Sequence, residues 1–164
     1  MTMENEFLHE VAITAIIVRD GTYLITRRAK TKKRFPGMWT VPGGKLESSD
    51  YLALPKDTKF YWYNVLERTL KREVKEEVGL NIGNIVYVTS LATVHADGSP
   101  SLVISCMADC TGGRMKLQKG ETDKFAWVTL GQARKYKLID GIWDELAMAE
   151  EIRTKGKKSE WKRA

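Results

Sequence analysis

This chain of 164 residues has few of the residues that staple small or exported scaffolds, with two cysteines and two histidines. Cys106 and Cys110 lie in the strand-like run "SLVISCMADC". Four residues of strand span about 13 Å, too far for a disulfide. Two histidines and two cysteines do not supply a zinc set, and free thiols suit a reducing compartment. No run of eighteen apolar residues exists, which excludes a transmembrane helix. The opening "MTMENEFLHE" lacks the basic and apolar regions of a signal peptide, so the cytoplasm is the expected location. Repeats and low-complexity segments are missing as well. What remains is a soluble globular composition, 43% hydrophobic and 29% charged, at a length that suits one domain. The formal charge of +6 is concentrated after residue 152, where "RTKGKKSEWKRA" holds six basic residues and one acid. Residues 1–152 therefore read as the domain, and 153–164 as a basic, solvated tail.

Along the chain, "VAITAIIVRDGTYLITRRA" reads as a hairpin about Asp20-Gly21. "RFPGMWTVPGGKLE" is a loop enclosing a short "WTV". A helix should follow, capped by Asp57 or Thr58, with Leu66, Leu70, Val74 and Val78 along one stripe and Gly79 at its C-terminal end. Two strands joined near Asp97-Gly98, a short strand in "KFAWVTL" and a closing helix in "LIDGIWDELAMAEEIRTK" complete the pass. The expected class is α/β, a mixed central sheet with helices packed against it.

The helix carries the chemistry. In "TLKREVKEEVGL", Glu73, Glu76 and Glu77 fall within an arc of about 100° beside the apolar stripe. Such carboxylates cannot all ionise cheaply without counter-charge. Arg72 supplies one; a hard divalent cation with oxygen ligands would supply more, and such ions commonly act on phosphates. Taken alone, "KREVKEEV" also reads as a solvated face with i,i+4 pairing to Lys71, Arg72 and Lys75. The upstream "VPGGKLE" shifts the balance.

"GGKLE" followed by "REVKEEVGL" resembles the Nudix box, G-x5-E-x7-R-E-U-x-E-E-x-G-U with U a bulky aliphatic. Arg72, Glu73, Val74, Glu76, Glu77, Gly79 and Leu80 match its second half, and Gly44 matches its first. The resemblance spans about residues 10–135 and implies a Nudix-type α/β/α sandwich of MutT-like kind. It implies hydrolysis of a nucleoside diphosphate linked to another moiety, with Mg²⁺ or Mn²⁺. By position, Glu76 and Glu77 would be metal ligands. Glu73 would be a ligand or the base, oriented by Arg72. The Gly43 carbonyl would complete the metal shell, Glu47 would be near enough to join it, and Glu121 would be a further acid. Gly44, Lys45, Trp39 and Trp62 are the candidate substrate contacts, with Trp39 reading equally as a core or loop anchor. The loop "GMWTVPGGKLE" is similar to that of triphosphate-cleaving members, and a homodimer is a common assembly among them.

The chain departs from the pattern after Gly44. Asp50 stands where the box has glutamate, and 22 positions then separate it from Arg72 instead of eight, an insertion of about 14 residues near 50–64. Either the shorter acid fills the role or Glu47 or Glu67 compensates. The insertion holds Tyr51, Phe60, Tyr61, Trp62 and Tyr63. One helix cannot turn all of these rings one way, so packing against the body or a partner is expected, with base stacking as the alternative. Two rivals to a nucleotide hydrolase are a Nudix-like binding or regulatory domain without catalysis, and an RNA-end hydrolase using the basic tail.

Overall fold

The chain is described from a computed structural model covering residues 6–157 and 159–162. Residues 1–5, 158 and 163–164, which include parts of the acidic start and of the basic tail, lie outside the described residues. β-branched runs on either side of Asp20-Gly21 give strands β1 (Glu10–Arg19) and β2 (Thr22–Arg28). Both turn residues take positive φ, 49° and 72°, the twist that a tight hairpin requires. β3 (Trp39–Thr40) and β4 (Gly43–Lys45) are short pieces of the glycine loop. After the one-turn helix α1 (Ser49–Leu52) and an irregular stretch come α2 (Val65–Val78), β5 (Leu80–Val94), β6 (Pro100–Gly113), β7 (Thr122–Val128), the short α3 (Leu130–Ala133) and α4 (Ile142–Lys155).

The seven strands form one sheet, ordered β3-β2-β1-β6-β5, with β7 on β2 and β4 on β1. β1 and β6 run parallel and the other pairs antiparallel, so the sheet is mixed. β1 and β2 pair only beside their turn, at Val18↔Tyr23 and Arg19↔Thr22, and then diverge. The glycine loop fills the wedge. β3 pairs with β2 at Thr26 and Arg27, the Ala15 amide donates to the Pro42 carbonyl at 2.8 Å, and β4 pairs with β1 at Ala12–Thr14. Gly43 sits against β1 so closely that a Cβ would lie 2.4 Å from the Ile13 carbonyl oxygen.

Alternation along the strands gives each face of the sheet its own core. Ile13, Ala15, Ile17 and Leu24 face α2, where Leu70, Val74 and Val78 are buried. Ile16, Tyr23, Ile25 and Val128 face α4, where Ile142, Leu146 and Ala149 are buried. The result is the expected α/β/α sandwich. Burying each of the three α2 side chains contributes about 1.5–3 kcal/mol, which fixes the helix in one rotation about its axis. Among the described residues no helix is long and apolar enough to cross a membrane. Among the described residues neither cysteine is in a disulfide, and Cys106 is buried in the α2-side core.

Two expectations need correction. Asp57 and Thr58 do not cap the helix. Their amides both donate to the Tyr61 carbonyl, at 3.0 and 3.2 Å, closing a turn of their own. Asn64 is left-handed (φ 54°), which stops the helix from extending backwards, so α2 starts at Val65. Nor do the aromatics of the insertion extend the helix or pack on the body. Phe60, Tyr61 and Tyr63 are exposed, and Tyr51 and Trp62 are half-buried against each other.

Gly79 ends α2 with φ 76°, and a Cβ there would lie 2.3 Å from the Arg114 carbonyl oxygen. Gly98 has a similar φ of 82° but nothing within 4 Å of its would-be Cβ. Gly98→Ala should therefore cost about 1–2 kcal/mol from backbone strain alone, and Gly79→Ala about 3 kcal/mol or more, because the backbone that follows β6 must also move. Urea unfolding of the two variants checks this; equal losses would mean the close approach does not fix the helix end.

Candidate active site

The rotation of α2 aims one side of the helix at the glycine loop. Glu73 lies over Gly44, where a Cβ would sit 2.0 Å from the Glu73 carboxyl carbon. Glu77 reaches further down. One of its oxygens accepts the Gly43 amide at 3.0 Å and the other accepts the Thr122 hydroxyl at 2.6 Å. Glu76 is half-exposed on the outer edge.

Arg72 organises the group. Its guanidinium donates through Nε to Asp50 Oδ1 at 2.6 Å and through Nη2 to Asp50 Oδ2 at 3.0 Å, a bidentate fork. Nη1 faces Glu73 at 2.9 Å and Glu76 at 3.1 Å. Asp50 is itself almost fully buried, 5% exposed, and accepts the Thr69 hydroxyl at 2.9 Å and the Glu47 amide at 3.0 Å. Asp50 is thus the acid that meets Arg72, in spite of the insertion that follows it. The insertion leaves the sheet side of the site undisturbed because it begins one residue after Asp50 and ends at Asn64, just before α2. Glu67, on the first turn of α2, is not needed for that role.

The electrostatics follow from burial. Burial pushes the Glu73 carboxyl above the usual range, against the pull of Arg72, and Glu76 and Glu77 push it the same way. Burial also pushes Glu77 up, opposed by the Thr122 hydroxyl and the Gly43 amide, with Glu121 adding like charge. The Arg72 hydrogen bonds hold Asp50 below the usual carboxylate range. Asp50, Glu73 and Glu76 therefore share one fully engaged cation, while Glu77 feels the charge of Arg28, and the acids of the site outnumber the cations that act on them. Among the described residues no three acidic, cysteine or histidine side chains converge on a single point. The donors are nevertheless all hard oxygens, crowded and partly desolvated, which is the donor chemistry that suits Mg²⁺ or Mn²⁺. An open groove of about 500 Å³, lined by Glu47, Ser49, Asp50, Arg68, Arg72 and Glu76, leads to them.

The remaining candidates are distributed around this centre. Glu47 lines the groove, and the Ser49 hydroxyl donates to it at 3.2 Å. Glu121 stands at the start of β7 near Glu77 and is paired with Lys32 at 2.6 Å. Lys45 turns to Glu10 at 2.6 Å. Trp62 stacks on Tyr51, beside Asp50, with ring centroids 5.4 Å apart. Trp39 is not brought to the groove; it packs edge-on against Tyr136 at 4.7 Å in the α4-side core. Thr122 is the residue that sequence reasoning missed. It follows Glu121, but only the β2–β7 register, Arg28↔Thr122, brings it under Glu77.

The Asp50–Arg72 pair has a pH signature. The folded-state value of Asp50 lies below its unfolded value, so its stabilisation is complete above about pH 4 and is lost as pH falls through the folded value. Asp50→Asn should cost about 2 kcal/mol at neutral pH. It should also flatten the loss of stability below about pH 4. Urea unfolding over a pH series reads both; an acid limb parallel to wild type would show that the pair contributes nothing.

Residues 8–147 match the NUDIX domain. The chain is 32% identical over 123 residues to the human NAD-capped RNA hydrolase NUDT12, an alignment covering 74% of this chain and 22% of that protein. The chain thus spans about a fifth of the length of that relative. It is 26% identical over 125 residues to the Escherichia coli nucleoside triphosphatase NudI, covering 71% of this chain and 79% of NudI. The crystal structure of a MutT NUDIX hydrolase from Burkholderia pseudomallei superposes with a TM-score of 0.66, at 21% identity, over 86% of this chain and 98% of that one. With the acidic helix seated over its glycine loop and the domain matched along most of its length, this chain belongs to the NUDIX family.

Proposed function

We propose that the protein is a divalent-cation-dependent diphosphohydrolase. It cleaves a diphosphate bond in a nucleoside diphosphate linked to another moiety, with nucleoside triphosphates, cleaved to monophosphate and pyrophosphate, as the favoured class. The observation that carries this is the stack of Glu73 on Gly44 and Glu77 on the Gly43 amide, beside an Arg72 already neutralised by Asp50. Carboxylates crowded together at an open groove, with Arg72 already engaged by Asp50, are costly as structure and suited to Mg²⁺ or Mn²⁺. The similarity to the nucleoside triphosphatase NudI, which aligns over most of its own length, supports the triphosphate class.

Glu73, Glu76 and Glu77, with the Gly43 carbonyl and Glu47 at the groove edge, would hold the ion. When bound it would neutralise phosphate charge and lower the pKa of water. The chain does the rest. Arg72 holds Glu73 and Glu76 in place through its Asp50 anchor, and Thr122 holds Glu77. Glu73, whose proton affinity burial raises as it does that of Glu77, serves either as a ligand or as the base that takes the proton of the attacking water, with Glu121 as a further acid nearby. The water oxygen forms a bond to phosphorus as the bridging P–O bond breaks. Gly44 leaves room for both carboxylate and phosphate, and Lys45 and Trp62 border the approach.

A second reading, hydrolysis at an RNA end, draws on the similarity to the NAD-capped RNA hydrolase NUDT12 and on the basic residues after 152.

Turnover of nucleoside triphosphates, ADP-ribose, nucleotide sugars, dinucleoside polyphosphates and capped RNA, with products resolved and Mg²⁺ or Mn²⁺ supplied, tests the proposal. A cation-dependent nucleoside monophosphate product is expected. It should fall at least about 100-fold in Glu76→Gln/Glu77→Gln and in Gly44→Ala, whose methyl displaces the Glu73 carboxylate, while thermal stability changes little. Nucleotide binding without turnover on any of these substrates would instead make the protein a binding module.

A further inference from the structure

The insertion between Asp50 and Val65 is not slack chain. The Asp57 and Thr58 amides donate to the Tyr61 carbonyl, and the Tyr61 amide returns to the Thr58 hydroxyl at 3.1 Å. The Tyr63 amide donates to the Asp57 carboxylate at 2.8 Å, and the Trp62 indole donates to the Leu54 carbonyl at 2.9 Å. Trp62 then rests on Tyr51, and Arg68 of α2 approaches Asp57 at 3.5 Å. The loop is thereby fastened to the groove, which Arg68 and Asp50 line. Yet this ordered loop holds three rings in water: Phe60 is 61% exposed, Tyr61 63% and Tyr63 57%.

Two lysines share this surface. Lys56 Nζ stands 5.1 Å from the Trp62 ring centre and Lys59 Nζ 5.2 Å from that of Phe60. Flat rings interleaved with cations complement a ligand that is both planar and anionic, which is the chemistry of a nucleotide. Lysine is depleted in the cores of protein–protein contacts, so the same composition argues against a protein occupant. Because hydrogen bonds already fix the loop backbone, stacking on its rings requires little further loss of backbone freedom.

We propose that the exposed rings of Phe60, Tyr61 and Tyr63, of which Phe60 and Tyr61 meet edge to face at 6.2 Å and 67°, offer the faces on which a nucleobase of the substrate stacks, placing its phosphates toward the Asp50–Arg72 groove. The proposal rests on the hydrolase reading for the destination of the phosphates, but the stacking is independent of turnover. The shared chemistry is a base joined to a phosphate chain, supplied by a free nucleotide or by the end of a single strand.

The test is binding of three probes with Mg²⁺ present: GTP, a short 5′-triphosphorylated oligoribonucleotide, and base-free tripolyphosphate. Wild type is compared with Phe60→Ala/Tyr61→Ala/Tyr63→Ala. The replaced rings bury little, so the variant should melt like wild type; Lys56→Ala/Lys59→Ala provides a second, ring-preserving variant. Affinity for at least one base-bearing probe should fall about 5- to 150-fold in the ring variant, with tripolyphosphate unchanged. A loss confined to the oligonucleotide identifies a strand end as the source, and a loss for GTP identifies a free nucleotide. Unchanged affinity for both base-bearing probes, or an equal loss for tripolyphosphate, overturns the proposal. So does a concentration-dependent dimer that the ring variant abolishes without changing nucleotide affinity. Ring-dependent binding in a protein without turnover would retain the platform and remove the hydrolase reading, so the two failures are separable.

Discussion

The guanidinium of Arg72 is the constraint on which the candidate site depends. It stands among Asp50, Glu73 and Glu76, and its fork is closed by Asp50 from the far side. Without that anchor one cation would be free to collapse onto the nearest glutamate of its own helix. With it, the acids of α2 are held apart and aimed. Asp50 is in turn held by the Thr69 hydroxyl and the Glu47 amide, so helix, loop and α1 meet on a single carboxylate. Burial makes the fork stiff, and a stiff fork keeps three like charges close without letting them reorient.

The aim of α2 also depends on the sheet beneath it. β1 and β2 separate after two residue pairs, and the glycine loop enters the gap as β3 and β4. That puts the Gly43 amide in the centre of the sheet instead of at its rim. Gly43 could not carry a side chain there because of the Ile13 backbone, and a side chain on Gly44 would displace the Glu73 carboxylate. The fold thus uses the same two glycines to complete a strand pairing and to seat a carboxylate.

Stability and function divide between the faces of the sheet. The α4 side is an apolar core in which Trp39, a candidate substrate contact, serves as packing against Tyr136. The α2 side combines an apolar interior with an acidic rim that opens to the groove. The insertion adds a third surface, braced at Trp62 and anchored beside Asp50, where rings and lysines stand outward. Length added inside an acidic motif would ordinarily threaten it. Here it leaves the motif intact because Asp50 and Asn64 lie at the ends of the excursion, and the loop hydrogen-bonds to itself between them.

Local patterns in the sequence determined a good deal. Alternation and turn chemistry defined the β1–β2 hairpin, because Asp20-Gly21 admits only the tight left-handed turn. The four-residue repeat of Leu66, Leu70, Val74 and Val78 defined the buried stripe of α2, and with it the side on which Glu73, Glu76 and Glu77 stand. The spacing of those residues behind the glycine loop carried the family resemblance. Other features depended on contacts between distant segments, which no local pattern encodes. Whether Asp50, Glu47 or Glu67 would meet Arg72 depended on how a 14-residue excursion closed on itself. The start of α2 depended on a left-handed Asn64 and not on the Asp57 and Thr58 that capping preference favours. Thr122 reached Glu77 through the register of β7 on β2, and Trp39 was drawn to the α4 side by its strand pairing. Periodicity fixes which face of an element a side chain occupies; only the packed tertiary structure decides what that face meets.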